Sequence, residues 1–326
     1  MAKPKVLATR PLFPAAQQIL NAHCDVDYWT DPERISREEL LRRVKNKDAL
    51  VCLLTEKVDL DLLTTAPKLR IASNVAVGFD NIDVAACTSR NVIATNTPGV
   101  LDETTADFAW TLLMAVARRI IEGEELARSG EWKGWDLDQL VGTDVFGKTL
   151  GIIGFGRIGK AMARRALGFN MKVLYSDAVR APEAAEKELR AEYRSLDDLL
   201  AQSDFISVHV PLLPETRGLF DASRLSKMKP TAFLINTSRG PVVNEAALVQ
   251  ALEAGKIAGA ALDVFEKEPS IHPGLKRSNV VLAPHIASAS IETRTKMACM
   301  AAQNVVALFT GQRPPNMLNP EIFKSS

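Results

Sequence analysis

The segment KTLGIIGFGRIGKAMARR, residues 148–165, constrains the fold of this chain more than any other stretch. An apolar run ends in Gly154-x-Gly156-x-x-Gly159, and strong helix formers follow at once. In a strand–turn–helix unit the first glycine permits the tight turn, the second lets the backbone approach a pyrophosphate, and the third lets helix and strand pack closely. Phe155, Arg157 and Ile158 fill the positions between, and amides near Arg157 and Ile158 face the phosphates at the positive helix end. The next apolar run, MKVLYSD, closes on Asp177, about 20 residues further on. A carboxylate there accepts hydrogen bonds from both ribose hydroxyls of an adenosine and repels a 2′-phosphate. The spacing predicts a dinucleotide site that prefers NAD(H). Arg180, a cation close by, keeps NADP(H) open.

The surroundings agree with that unit. Apolar runs at Val6–Thr9, Val26–Trp29, Ala49–Leu54, Leu69–Val75 and Val92–Asn96 alternate with helical patterns, and from residue 148 the alternation restarts. Such alternation predicts parallel sheets covered by helices on both faces, hence an α/β fold of doubly wound sheets. Ser36 with Glu39 three residues later reads as a capping box. Asn244 reads as a helix cap and Gly255 as the stop of the same helix. At 326 residues two domains are expected, and Pro98-Gly99 marks a break. A long helix is expected at about 102–119. The stretch RSGEWKGWDLDQLVGTD after it has neither period and reads as an arm or an oligomer contact.

Arg239 follows AFLINTS, Glu268 follows GAALDVFEK, and His285 follows NVVLAP. A lone arginine after a strand is ordinarily a solvated loop residue. In a parallel sheet, however, the carboxyl ends of the strands share the edge that bears the glycine loop. Together the three form a set suited to a 2-oxo acid. An arginine binds carboxylate and carbonyl in a fork, and a histidine beside a carboxylate donates a proton to the developing alkoxide. His209, in FISVHVPL, is a rival imidazole on these grounds alone. Gly240 is expected to leave room beside the pocket.

The chain resembles the D-2-hydroxyacid dehydrogenase family, and within it the glyoxylate/hydroxypyruvate reductases. The likeness covers nearly the whole length and rests on SNVAVGFDNID, NTPGVLDETTADFAW, SGEWKGW, the glycine segment, SDFISVHVPLLPET, INTSRGPVVNEAALVQAL, GAALDVFEKEP and NVVLAPHIASA. It implies that Arg239, Glu268 and His285 are the catalytic set, in preference to His209. It implies cofactor contacts from Pro211, Thr237 and Asp263. Leu53, Val77 and Gly78, with Arg239, would be the substrate residues. It implies a flavodoxin-like substrate domain, 1–99 plus 290–326, with a Rossmann dinucleotide domain, 100–289, inserted in it. It further implies a homodimer joined through the long helix and the arm. Three departures stand out: Gln139 where close glyoxylate reductases have a tryptophan, Ala287 for the usual glycine of the HIGSA segment, and Asp177 where NADP(H)-preferring relatives lack an acid.

The formal net charge of +1 offers nothing for nucleic acid or an anionic membrane. Four scattered cysteines suit a reducing compartment and predict no metal site. No apolar run reaches membrane-spanning length, and a cytoplasmic location is expected. The alternatives within the class are a short phosphoglycerate dehydrogenase or another D-2-hydroxyacid dehydrogenase. Outside it stands a nucleotide-sensing binding protein similar to the C-terminal-binding-protein corepressors, which share the Arg–Glu–His set but carry extra tails.

Overall fold

The structure, a computed structural model, describes residues 2–323; residues 324–326, at the end of the expected substrate domain, lie outside the described residues. The chain forms two compact units. One runs as far as Leu101 and resumes at Ala289; the other is Asp102–Ser288.

The first unit holds five parallel strands: β1 (Lys5–Ala8), β2 (Asp25–Tyr28), β3 (Ala49–Cys52), β4 (Ile71–Asn74) and β5 (Ile93–Thr95). Their order is β2-β1-β3-β4-β5, the flavodoxin-like arrangement. Alternate residues serve opposite faces, as the strand period requires. Leu7, Leu50 and Cys52 face one core, and Val6, Ala8, Ala49 and Val51 face the other. The second core is closed by Ala298, Ala301, Ala302 and Val305 of the helix Ile291–Phe309. Their small side chains let this helix lie close on the sheet, and Ser73 Oγ donates to the Ala301 carbonyl at 3.0 Å. The Arg37–Val44 helix starts at Ser36, whose hydroxyl accepts the Glu39 amide. The reciprocal half of the expected capping box is not made, because Glu39 turns to Arg42 and Arg43.

The second unit holds seven parallel strands: β6 (Thr149–Ile153), β7 (Lys172–Ser176), β8 (Ala191–Tyr193), β9 (Phe205–Val208), β10 (Phe233–Asn236), β11 (Gly259–Leu262) and β12 (Val280–Leu282). The order β12-β11-β10-β9-β6-β7-β8 reverses between β9 and β6. That is the switch point of a Rossmann sheet, where ligands bind beyond the carboxyl ends of the strands. Both faces are covered, which explains the unbroken apolar strands. Sequence periodicity did not disclose β8.

The long helix is Asp102–Ala117, and a second, unexpected helix, Ile120–Ser129, follows it. Residues 130–141 have no regular structure, and the chain rejoins the core where the Thr143 amide donates to the Ala117 carbonyl at 2.8 Å. Ile120, Ile121, Trp132, Trp135 and Leu137 are all exposed, Trp135 at 83%.

Candidate active site

Three adjoining strands of the Rossmann unit deliver the candidate residues. β10 ends at Asn236, whose side chain folds the next turn: its oxygen accepts the Ser238 amide and hydroxyl, and its nitrogen donates to the Arg239 carbonyl at 3.0 Å. Arg239 is half-buried, and its Nη1 donates to the Ser238 carbonyl at 2.8 Å. Gly240 follows because nothing larger fits. A Cβ there would lie 1.9 Å from the backbone of Phe265, so the space expected to belong to the pocket is filled by the chain leaving β11. Asn244 then caps the Glu245–Glu253 helix, and Gly255, at φ +61°, ends the turn that follows it.

Glu268 lies on the loop after β11 and His285 just beyond β12. Glu268 Oε2 and His285 Nδ1 are 2.8 Å apart, and Glu268 Oε1 accepts the Phe265 amide at 3.1 Å. Burial pushes the Glu268 carboxyl upward. The hydrogen bond and charge of His285, the Phe265 amide and the charge of Arg239 outweigh it, leaving the group below its ordinary value. His285 and Arg239 thus both act on the Glu268 carboxylate. With the carboxylate accepting from Nδ1, the proton on that nitrogen follows, and Nε2 is left as the other reactive position.

The glycine loop fits a dinucleotide. Gly154 has φ +89°, and a Cβ there would meet the His209 carbonyl at 2.7 Å; one on Gly159 would meet the Gly154 carbonyl oxygen. Around Gly156 nothing lies within 4 Å, so this face of the loop stays open. Gly156 is also the N-cap of the Arg157–Gly168 helix and offers no side chain to its first amides. An open face before an uncapped helix start suits a pyrophosphate. Thr237 Oγ1, beside Arg239, is buried with no partner among the described residues, as a hydroxyl awaiting a ligand would be.

The match to known families decides the lineage: residues 110–287 fit the model of the D-isomer specific 2-hydroxyacid dehydrogenase NAD binding domain. The chain belongs to this family of dehydrogenases. It is 52% identical to the glyoxylate reductase of Korarchaeum cryptofilum over 325 residues, 99% of this chain and 98% of that one. Among solved structures it resembles a glyoxylate reductase from Paecilomyes thermophila, with a TM-score of 0.88 and 30% identity over 98% of this chain and 100% of that one. It also resembles the NADPH-dependent glyoxylate/hydroxypyruvate reductase of Sinorhizobium meliloti in complex with NADP and malonate. There the TM-score is 0.86, with 31% identity over 100% of this chain and 99% of that one. The protein is an oxidoreductase that uses a pyridine nucleotide.

Other expected residues of this dehydrogenase take more specific places. Phe155 is buried and stacks on Tyr175 at 4.0 Å, so only its backbone borders the loop. Arg157 is exposed, whereas Ile158 packs on the core. Pro211 is exposed after β9, its carbonyl accepting the Thr216 hydroxyl. Asp177 Oδ2 accepts the Phe155 amide at 2.6 Å, tying the end of β7 to the glycine loop. Asp263 is wholly buried, and its oxygens accept the Ile286 and Ala287 amides at 2.8 Å each. Burial pushes its carboxyl upward, while those amides pull the other way. His209 is the poorer proton donor near neutral pH: its Nε2 pairs with Ser207 Oγ at 2.8 Å, and burial drives its pKa down to about 3, which keeps the ring uncharged.

In the five-stranded unit, Asn side chains fix the loops bearing Leu53, Val77 and Gly78. Asn96 and Asn74 donate to the Val77 and Gly78 carbonyls, and Asn81 donates to that of Leu53. Buried Glu56 accepts the Leu53 amide at 2.7 Å and the Thr9 hydroxyl at 2.6 Å. Sequence reasoning missed Glu56, Asn74 and Asn81. Their polar side chains next to apolar strands were the available signal. Among the described residues no cluster suits a metal ion, and no helix is long and apolar enough to cross a membrane.

Proposed function

We propose that the protein reduces small 2-oxo acids, glyoxylate and hydroxypyruvate first, to the corresponding D-2-hydroxy acids, with NADH preferred over NADPH. The observation that carries this reading is the 2.8 Å pair between Glu268 and His285, with the charge of Arg239 acting on the same carboxylate. The bound nicotinamide supplies the hydride. Arg239 holds the substrate carboxylate and carbonyl in a fork. Nε2 of His285 gives its proton to the carbonyl oxygen as the alcohol forms, and Glu268 steadies the ring and its positive charge. In the reverse direction the neutral ring takes that proton back.

The glycine loop from Gly154 to Gly159, with Asp177, Pro211, Thr237 and Asp263, is the cofactor site of this reading. Leu53, Val77 and Gly78 are the substrate residues of the five-stranded unit. We assign 1–99 with 290–326 as the substrate domain and 100–289 as the nucleotide domain. The exposed apolar surface around Trp132 and Trp135 supports a homodimer, which light scattering on the purified protein tests. The four unpaired cysteines support a reducing, cytoplasmic setting for this enzyme reading.

The test is kcat/KM for glyoxylate, hydroxypyruvate, pyruvate and phosphohydroxypyruvate with each cofactor. Turnover is expected to be fastest with the first two and NADH. No consumption of NADH with any of the four overturns the enzyme reading, and fastest turnover of phosphohydroxypyruvate replaces it with a phosphoglycerate dehydrogenase.

A further inference from the structure

We infer that Glu186 helps set the choice of nucleotide by withholding Arg180 from the adenosine 2′ position; the inference rests on the NAD(H) reading above. Asp177 stands at the end of β7 and uses both oxygens locally. Oδ2 accepts the Phe155 amide and Oδ1 the Val179 amide at 3.3 Å, which folds the chain into a turn just before Arg180. A cation beside that turn is what a 2′-phosphate would recruit. Here it is already engaged. Arg180 Nε and Nη2 fork onto Glu186 Oε1 and Oε2, each at 2.9 Å, and the guanidinium lies 5.8 Å from the Tyr193 ring centre.

Glu186 is held as firmly as the pair it makes. Its side chain, on the Glu183–Leu189 helix, is only 11% exposed, and the Tyr175 hydroxyl donates to it at 2.6 Å. That hydroxyl also accepts the Ala181 amide at 2.9 Å, so the residue after Arg180 is pinned to the same group. The Tyr175 ring is buried and stacks on Phe155 of the glycine loop. A frame of core aromatics therefore fixes both the loop that meets the pyrophosphate and the carboxylate that holds Arg180. For Arg180 to serve a phosphate it must abandon a two-bond fork and leave a mostly buried carboxylate short of partners, which is costly. Glu186 is in this sense a positioning residue, acting on specificity through Arg180.

The experiment is calorimetric titration of NADH and NADPH into the wild type, Glu186→Gln, Arg180→Ala and the double variant. Glu186→Gln is expected to tighten NADPH by about tenfold and to change NADH by less than about twofold. The double variant should lose that gain, and Arg180→Ala alone should leave NADPH where the wild type has it. An unchanged NADPH affinity in Glu186→Gln, or a gain that survives in the double variant, overturns the inference. If Glu186→Gln fails to fold, Arg180→Ala still decides: weaker NADPH binding would mean that Arg180 already serves the phosphate. Equal wild-type affinity for the two nucleotides would instead refute the NAD(H) preference, a separate failure.

Discussion

His285 is carried on a turn held by Asp263: the Asp263 carbonyl accepts the His285 amide at 2.8 Å, and its carboxylate accepts the next two amides. The grip matters because His285 sits at φ 56°, where a side chain with a Cβ is disfavoured. Such strain persists when the surroundings over-determine it. Asp263→Asn replaces one acceptor with a donor facing an amide. The expected cost is about 1–3 kcal/mol of stability, from a buried group left unsatisfied. Thermal unfolding checks this, and kcat of the folded fraction should fall because the imidazole is no longer held in place.

Removing the imidazole separates chemistry from binding. His285→Ala is expected to lower kcat by about 10²–10⁴-fold, the range for a lost general acid. NADH affinity, measured by titration, should stay within about twofold, since Nε2 acts on the substrate oxygen. An unaffected kcat removes His285 from the mechanism.

Glu268 gives a pH signature of known sign. Its folded value lies below the ordinary 4.5, with the His285 bond and charge prevailing over burial. A depressed carboxylate contributes stability that is complete above its unfolded value and is lost as pH falls through the lower folded value. Glu268→Gln should therefore melt below the wild type at neutral pH, and the gap should close as the pH is lowered past 4.5. Melting curves from pH 7 downward measure it.

His209 behaves oppositely to a useful catalyst. Its folded value of about 3 lies below the ordinary 6.5 because burial disfavours the charged ring. Below pH 6.5 the unfolded chain binds a proton that the folded chain refuses, so stability is lost between 6.5 and about 3. The slope is at most about 1.4 kcal/mol per pH unit for one group. His209→Gln, which can keep a bond to Ser207, should flatten the acid loss while kcat falls far less than in His285→Ala.

Two glycines should answer differently to one methyl group. Gly156→Ala meets nothing within 4 Å and should leave the melting temperature unchanged while weakening NADH by about tenfold. Gly240→Ala drives a Cβ to 1.9 Å from the Phe265 backbone. It should destabilise the fold by about 1–3 kcal/mol or more, the cost of overpacking. Calorimetry and thermal melts, run on both variants, separate the roles.

What was legible in the sequence was what local chemistry dictates. The glycine spacing, the apolar strand runs and the charged residues after β10 and β12 are each visible within a few positions. The three-residue edge strand β8 and the helix Ile120–Ser129 were not. The helix buries no residue, so it carries no stripe against a core, and it begins after Arg119 in a left-handed conformation. The work of Asp263, Glu56 and Glu186 was hidden for another reason. Each acts through partners that only the fold brings near, such as Thr9 for Glu56 and Arg180 for Glu186. Gly240 shows the limit well: its smallness was visible, but the Phe265 backbone beyond β11 that demands it was not.

The interleaving of the two units has a consequence for how the polypeptide is made. The Rossmann unit is one uninterrupted run, Asp102–Ser288, and holds all its own strands. The five-stranded unit must wait. Its second core lacks Ala298, Ala301 and Val305, and its β5 edge lacks Asn319, which receives the Ala94 amide and donates to the Val92 carbonyl, until synthesis has passed the whole Rossmann run and reached residue 319. Domains acquire structure as units during synthesis. The half first to be translated is therefore the half last to close, and a nascent chain stalled near residue 290 would display a finished nucleotide-binding unit beside an open sheet.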